Sequence, residues 1–215
     1  MYLGLLRAVP AFLVTFLVPL SAWASSSDEL VRGGERAEQT GDTDSAIRRY
    51  TEAITLDGQH EQAYLHLGAL RLKLGDAREA VRVYSVALDH LPGFALARKF
   101  RAEASWKLGD REGAEHDLED YLEKVPDRAG YTQLADWYAE HGRFPAQLRV
   151  WRRIRMVAAE AADAALIQRA TTMLKALQWV VSPADPVSLT KKDLADKSLG
   201  PARRSIARIA QRGGG

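Results

Sequence analysis

The stretch Ala63–Pro92, AYLHLGALRLKLGDAREAVRVYSVALDHLP, carries two helical stripes separated by a Gly-Asp pair. Tyr64, Leu67, Gly68 and Arg71 fall at i, i+3, i+4 and i+7, one face of a first helix. Gly75 supplies the left-handed residue that stops it, and the Asp76 side chain is suited to cap the next helix. Ala80, Val81, Tyr84, Ala87 and Leu88 form the apolar stripe of the second helix. Small residues at Gly68, Ala80 and Ala87 let the two axes approach, with Tyr84 filling the space beside them. Pro92, lacking an N–H, ends the unit.

The pattern recurs. Gly41-Asp42, Gly75-Asp76 and Gly109-Asp110 stand 34 residues apart. Ala46, Ala80 and Ala114 keep the same interval, as do Tyr50, Tyr84 and Leu118, and then Pro92 and Pro126. Gly142 follows Gly109 after 33 residues, and Tyr131, Leu134, Ala135, Tyr138, Leu148, Trp151 and Ile154 retain the stripe. This resembles the tetratricopeptide repeat, a 34-residue helix-turn-helix unit. The resemblance implies an all-α fold, an α-solenoid with units at 27–60, 61–94, 95–127 and 128–160. A capping helix over 161–181 is expected to close it, with Leu166, Ala170, Met173, Leu174, Leu177 and Val181 as its stripe. In the first unit Gly33, Gly34 and Ala37 replace larger residues, so a frayed first helix is expected; glycine costs about 1 kcal/mol relative to alanine in a helix.

Composition bounds the function. Apolar residues make up 47% and charged residues 27%, a globular balance, and a net charge of +2 gives no footing for nucleic-acid binding. Without cysteine there is no disulfide, thiolate nucleophile or thiolate metal site. His60, His66, His90, His116 and His141 fit no metal-binding spacing. No G-x-S-x-G, phosphate-binding loop or dinucleotide fingerprint occurs, so neither an enzyme nor a cofactor is expected.

The ends read differently. Arg7, an apolar run from Ala8 to Trp23, and Ala22-Trp23-Ala24 have the layout of a cleavable export signal over 1–24, with cleavage after Ala24. Pro10 and Pro19 shorten the run below the roughly 20 apolar residues of a membrane anchor. A periplasmic or secreted protein is therefore expected. Residues 182–215 begin with SPADP and continue with segments too short to be stable helices alone, a partly ordered basic tail. Its Arg203, Arg204, Arg208 and Arg212 suit weak contact with anionic lipid. From Ser25 to Asp127 the net charge is −7, and from Arg128 onward it is +8, a polarity that suits steering or self-association.

What remains is a surface. The resemblance implies that the first helix of each unit lines a concave groove. Helical spacing puts Leu65, Ala69, Leu72 and Lys73 there from the second unit, and Lys99, Glu103, Trp106 and Lys107 from the third. Val31, Glu35 and Glu38 extend the series at one end, Thr132, Asp136 and Ala139 at the other. An apolar centre with a charged margin is the layout of a protein-binding site. Trp106 either anchors a partner or packs between neighbouring helices. Glu35 and Glu103 oppose a terminal carboxylate, which favours a mixed-charge peptide or a folded protein. The function expected is a protein-interaction scaffold or assembly factor of the cell envelope. The alternative is an accessory subunit bound permanently to an envelope enzyme or transporter.

Overall fold

The structure, a computed structural model, describes residues 26–181; the export-signal and tail readings lie outside them. Nine α-helices follow one another there: α1 Ser27–Gln39, α2 Thr43–Leu56, α3 Glu61–Lys73, α4 Ala77–His90, α5 Ala95–Leu108, α6 Arg111–Lys124, α7 Arg128–Glu140, α8 Phe144–Glu160 and α9 Ala164–Val181. Each packs on its neighbours in sequence, and α3 also touches α1 and α5, so these three form one layer, which Trp106 of α5 continues to α7 by stacking on Trp137. None of the described helices is long and apolar enough to cross a membrane.

Local chemistry sets the turns. Gly41, Gly75, Gly109 and Gly142 all take positive φ, from +67° to +87°. After them the Asp42, Asp76 and Asp110 carboxylates accept the backbone N–H groups of Ser45, Glu79 and Gly113 at 3.0–3.2 Å. The same few residues thus end one helix and start the next.

Packing within a unit depends on glycine where a tyrosine arrives. A Cβ built on Gly68 would lie 2.3 Å from Tyr84 Cζ, and one on Gly34 would lie 2.4 Å from Tyr50 Cε1. Both rings are wholly buried. The glycines of the first unit therefore have a packing role, and α1 is a continuous helix rather than a frayed one.

The third unit departs from its neighbours inside. Leu67 and Val83 meet in the second unit's core, and Leu134 and Val150 hold the corresponding places in the fourth. In the third those places belong to Arg101 and Asp117, joined by two bonds of 2.7 Å, with Ser85 accepting a further bond from Arg101 at 3.2 Å. Arg98 stands where Tyr64 and Tyr131 stand, and Glu115 where Val81 and Leu148 stand. Glu115 is almost fully buried and is held by Arg143 and by His141. The residues α5 buries are all small: Ala97, Ala102, Ala104 and Ser105. As a result the apolar core divides there into a cluster built from α1 to α5 and another from α5 to α9.

Candidate partner-binding surface

The odd-numbered helices carry the side chains named from spacing, in unequal states, and Val31 among them is buried in the first core cluster. Leu65 and Leu72 are half-buried, packed on the first core cluster with part of each left open. Ala69, Lys73 and Lys107 are exposed, and neither lysine forms an ion pair among the described residues. Lys99 is pinned: its Nζ donates to Asp127 at 2.7 Å and sits 5.3 Å from the Tyr121 ring centre. Burial pushes the Asp127 carboxyl up, but the Lys99 bond and the backbone N–H groups of Gly130 and Ala129 outweigh it and hold the group below its ordinary value.

Trp106 is committed internally. Its ring stacks on Trp137 with centres 4.2 Å apart and planes 6° from parallel. The Arg111 guanidinium lies 4.0 Å from the same ring centre, and two groups so close to one centre must occupy opposite faces. His141 tilts against it at 5.1 Å. The second option stated from the sequence, packing between neighbouring helices, describes its position. Only part of the ring is left uncovered.

Two half-buried carboxylates line the same layer without a hydrogen bond or ion pair among the described residues, Glu103 and Asp136. Burial raises the Glu103 pKa, against opposition from Lys99 and Lys107. Asp136 is likewise raised by burial, with Arg169 opposing and Glu140 reinforcing. Such groups retain unused acceptor capacity.

Other members of the surface escaped the sequence reading. His66 stacks on Tyr50 at 5.2 Å and pairs with Glu35 at 3.1 Å, while Phe100, 34 residues on, stacks on Tyr84 at 5.9 Å. That interval was the signal available for both. Tyr50 donates its hydroxyl to Glu38 at 2.6 Å, but Leu72 takes the corresponding place in the second unit, and the buried Tyr84 hydroxyl has no partner. Among the described residues no group of three or more His, Asp or Glu is placed to hold a metal.

No family model matches the chain. It is 22% identical over 150 residues to the photosystem I assembly protein Ycf3 of Synechococcus sp. (strain CC9902), a match covering 63% of this chain and 87% of that protein. The solved structure of YrrB, described as a TPR protein with an unusual peptide-binding site, superposes with a TM-score of 0.60 at 16% identity, covering 87% of this chain and 92% of that one. The first TPR domain of Spaghetti (RPAP3), bound to the HSP90 peptide SRMEEVD, gives a TM-score of 0.51 at 20% identity, over 54% of this chain and 94% of that one. At these identities the likeness is one of fold. With its repeated Gly-Asp turns, paired helices and glycine-on-tyrosine contacts, the chain is a solenoid of the tetratricopeptide-repeat fold.

Proposed function

We propose that the chain is a non-catalytic scaffold or assembly factor that holds a segment of a partner protein along its inner layer. The observation that carries this reading is the pair Leu65 and Leu72, half-open beside the unpaired Lys73, Lys107 and Glu103. Nothing in the packing of the repeat requires apolar side chains to be left open there, and a guest residue would complete their burial. The peptide bound by the RPAP3 domain, the peptide-binding site of YrrB and the assembly role in the name of Ycf3 support the same direction. Trp106 supports the groove wall instead of projecting from it, so the aliphatic pair is the anchor.

The reading extends to export and to work in the cell envelope, on the strength of the apolar run and Ala22-Trp23-Ala24. N-terminal sequencing of native protein should return Ser25 as the first residue; an intact Met1 would remove the export proposal alone. For the groove, a photo-crosslinking residue at position 72 should trap a partner in cells, and one at the exposed Arg48 on α2 should not trap the same partner. Equal trapping at both positions would place that partner elsewhere.

A further inference from the structure

The even-numbered helices flank a series of equivalent outer slots, one per junction between units, and comparing them isolates a second surface. The slot between α2 and α4 encloses about 300 Å³, with uncharged Thr51 and Val86 on its walls. Its arginines are closed on their own neighbours, Arg82 on Glu79 and Arg71 on Asp76 at 3.9 Å. The slot between α4 and α6 is filled from within: Arg101 pairs with Asp117, and Arg98 reaches Asp120 at 3.6 Å. The slot between α6 and α8 is open and larger, about 610 Å³, over a floor that includes Leu122, Leu134 and Val150.

Its walls are charged with opposite signs. Glu119, Asp120 and Glu123 stand on the α6 side, Arg149 and Arg153 on the α8 side, and no ion pair forms across the slot among the described residues. Asp120 is taken by Arg98 and by His116 at 3.7 Å, and Glu119 accepts the Tyr138 hydroxyl, which leaves Glu123 free. Ala146 takes the place from which Glu79 neutralises Arg82, so Arg149 lacks the equivalent neighbour. Glu123 is likewise without a charged partner there, and Arg153 reaches only the Tyr131 hydroxyl, at 3.2 Å. Arg152 and Arg155, also exposed and unpaired among the described residues, lie off the slot face of α8. The filled middle slot shows how carboxylates on this wall are satisfied: Arg98 and Arg101 reach up from α5 beneath it and pair with Asp120 and Asp117. Among the described residues the α6–α8 slot has no such arginine from α7.

We propose that the α6–α8 slot is a second docking site, separate from the inner layer, for a helical segment of another protein. That segment carries carboxylates along the edge facing α8, basic residues along the edge facing α6, and aliphatic residues between. A uniformly anionic ligand, lipid surface or nucleic acid meets Arg149 and Arg153 but is opposed across the slot by the unpaired Glu123 and by Glu119, whose only partner among the described residues is the Tyr138 hydroxyl. A uniformly cationic one meets the reverse.

Three synthetic helical peptides of about four turns test this against the full chain, each with the same leucine stripe. Their edges are glutamate and lysine, glutamate on both sides, and lysine on both sides. Fluorescence anisotropy should find the mixed peptide tighter than either other by about tenfold or more. Arg149→Glu with Arg153→Glu should weaken the mixed peptide by a similar factor and move the preference to the all-lysine one. Glu123→Lys, on an exposed residue, gives an independent check if the first variant folds poorly, and should also weaken the mixed peptide. Leu72→Asp, in the inner layer, should leave this affinity unchanged. Equal binding of all three peptides, or insensitivity to both wall variants, would overturn the proposal. So would co-sedimentation with phosphatidylserine vesicles that is lost in the Arg149→Glu, Arg153→Glu chain, which would make the wall a polyanion site.

Discussion

Replacing the Arg101–Asp117 pair by Leu and Val, the residues at the same places in the second unit, tests how the third unit is held together. Asp117 has a side chain 9% exposed and Arg101 one 27% exposed. Removing one partner of a buried pair leaves the other charged and desolvated, a loss of about 3–5 kcal/mol. Asp117→Val should sit at the low end, since Arg101 has some access to water and retains Ser85. Arg101→Leu should cost at least as much, because the more deeply buried carboxylate is the one abandoned. Removing both together has a different outcome. An apolar pair recreates the Leu67–Val83 and Leu134–Val150 contacts and rejoins the divided core, and such exchanges run from neutral to a gain of about 1–4 kcal/mol. With each single change costing about 3 kcal/mol, additivity would put the double variant near a 6 kcal/mol loss, so the cycle separates the two accounts by at least that amount. Urea titration followed by circular dichroism reads the four stabilities, and each kcal/mol should also move the thermal midpoint by about 2–4 °C. A double variant as unstable as the sum of the singles, or singles with no effect, would refute the reasoning.

Gly68→Ala gains about 1 kcal/mol of helix propensity but drives a methyl group into the buried Tyr84 ring, an overpacking cost of about 1–3 kcal/mol. The net effect expected is a lower melting temperature, partly restored by adding Tyr84→Leu; a more stable single variant would contradict the contact. Trp106→Ala should cost about 2 kcal/mol and weaken the α5–α7 contact, seen as a lower urea midpoint. An unchanged midpoint would mean that the stacked ring contributes nothing to the fold. Burial raises the Glu103 pKa, so the folded state binds this proton more tightly than the unfolded state, and stability from this group falls as pH rises through the folded value. Glu103→Gln should therefore stabilise the chain at pH 7, with the advantage fading as pH falls below the ordinary glutamate range near 4.3. An advantage that grows on acidification would reverse the assigned direction.

The 34-residue interval, the Gly-Asp turns, the paired helices and the small residues beside Tyr84 were all legible in the sequence. Each follows from an interaction among residues close along the chain or from helical spacing: a left-handed glycine, an aspartate cap, an apolar stripe. The series assigned to one helix face was read from spacing alone, and Val31 within it is buried in the core. What each of its side chains does was decided by contacts between helices. Spacing put Trp106 on the inner face, but only the arrival of Trp137 and Arg111 on its two sides made it part of the wall. The first unit's glycines looked like weak points until Tyr50 and Arg49 were seen to fill their place. Arg101 and Asp117, or Arg149 and Glu123, are simply charges in the sequence. Tertiary structure made the first two a buried pair and left the others facing one slot unpaired, because the distance between charges on different helices depends on how those helices pack, and helical period does not encode it.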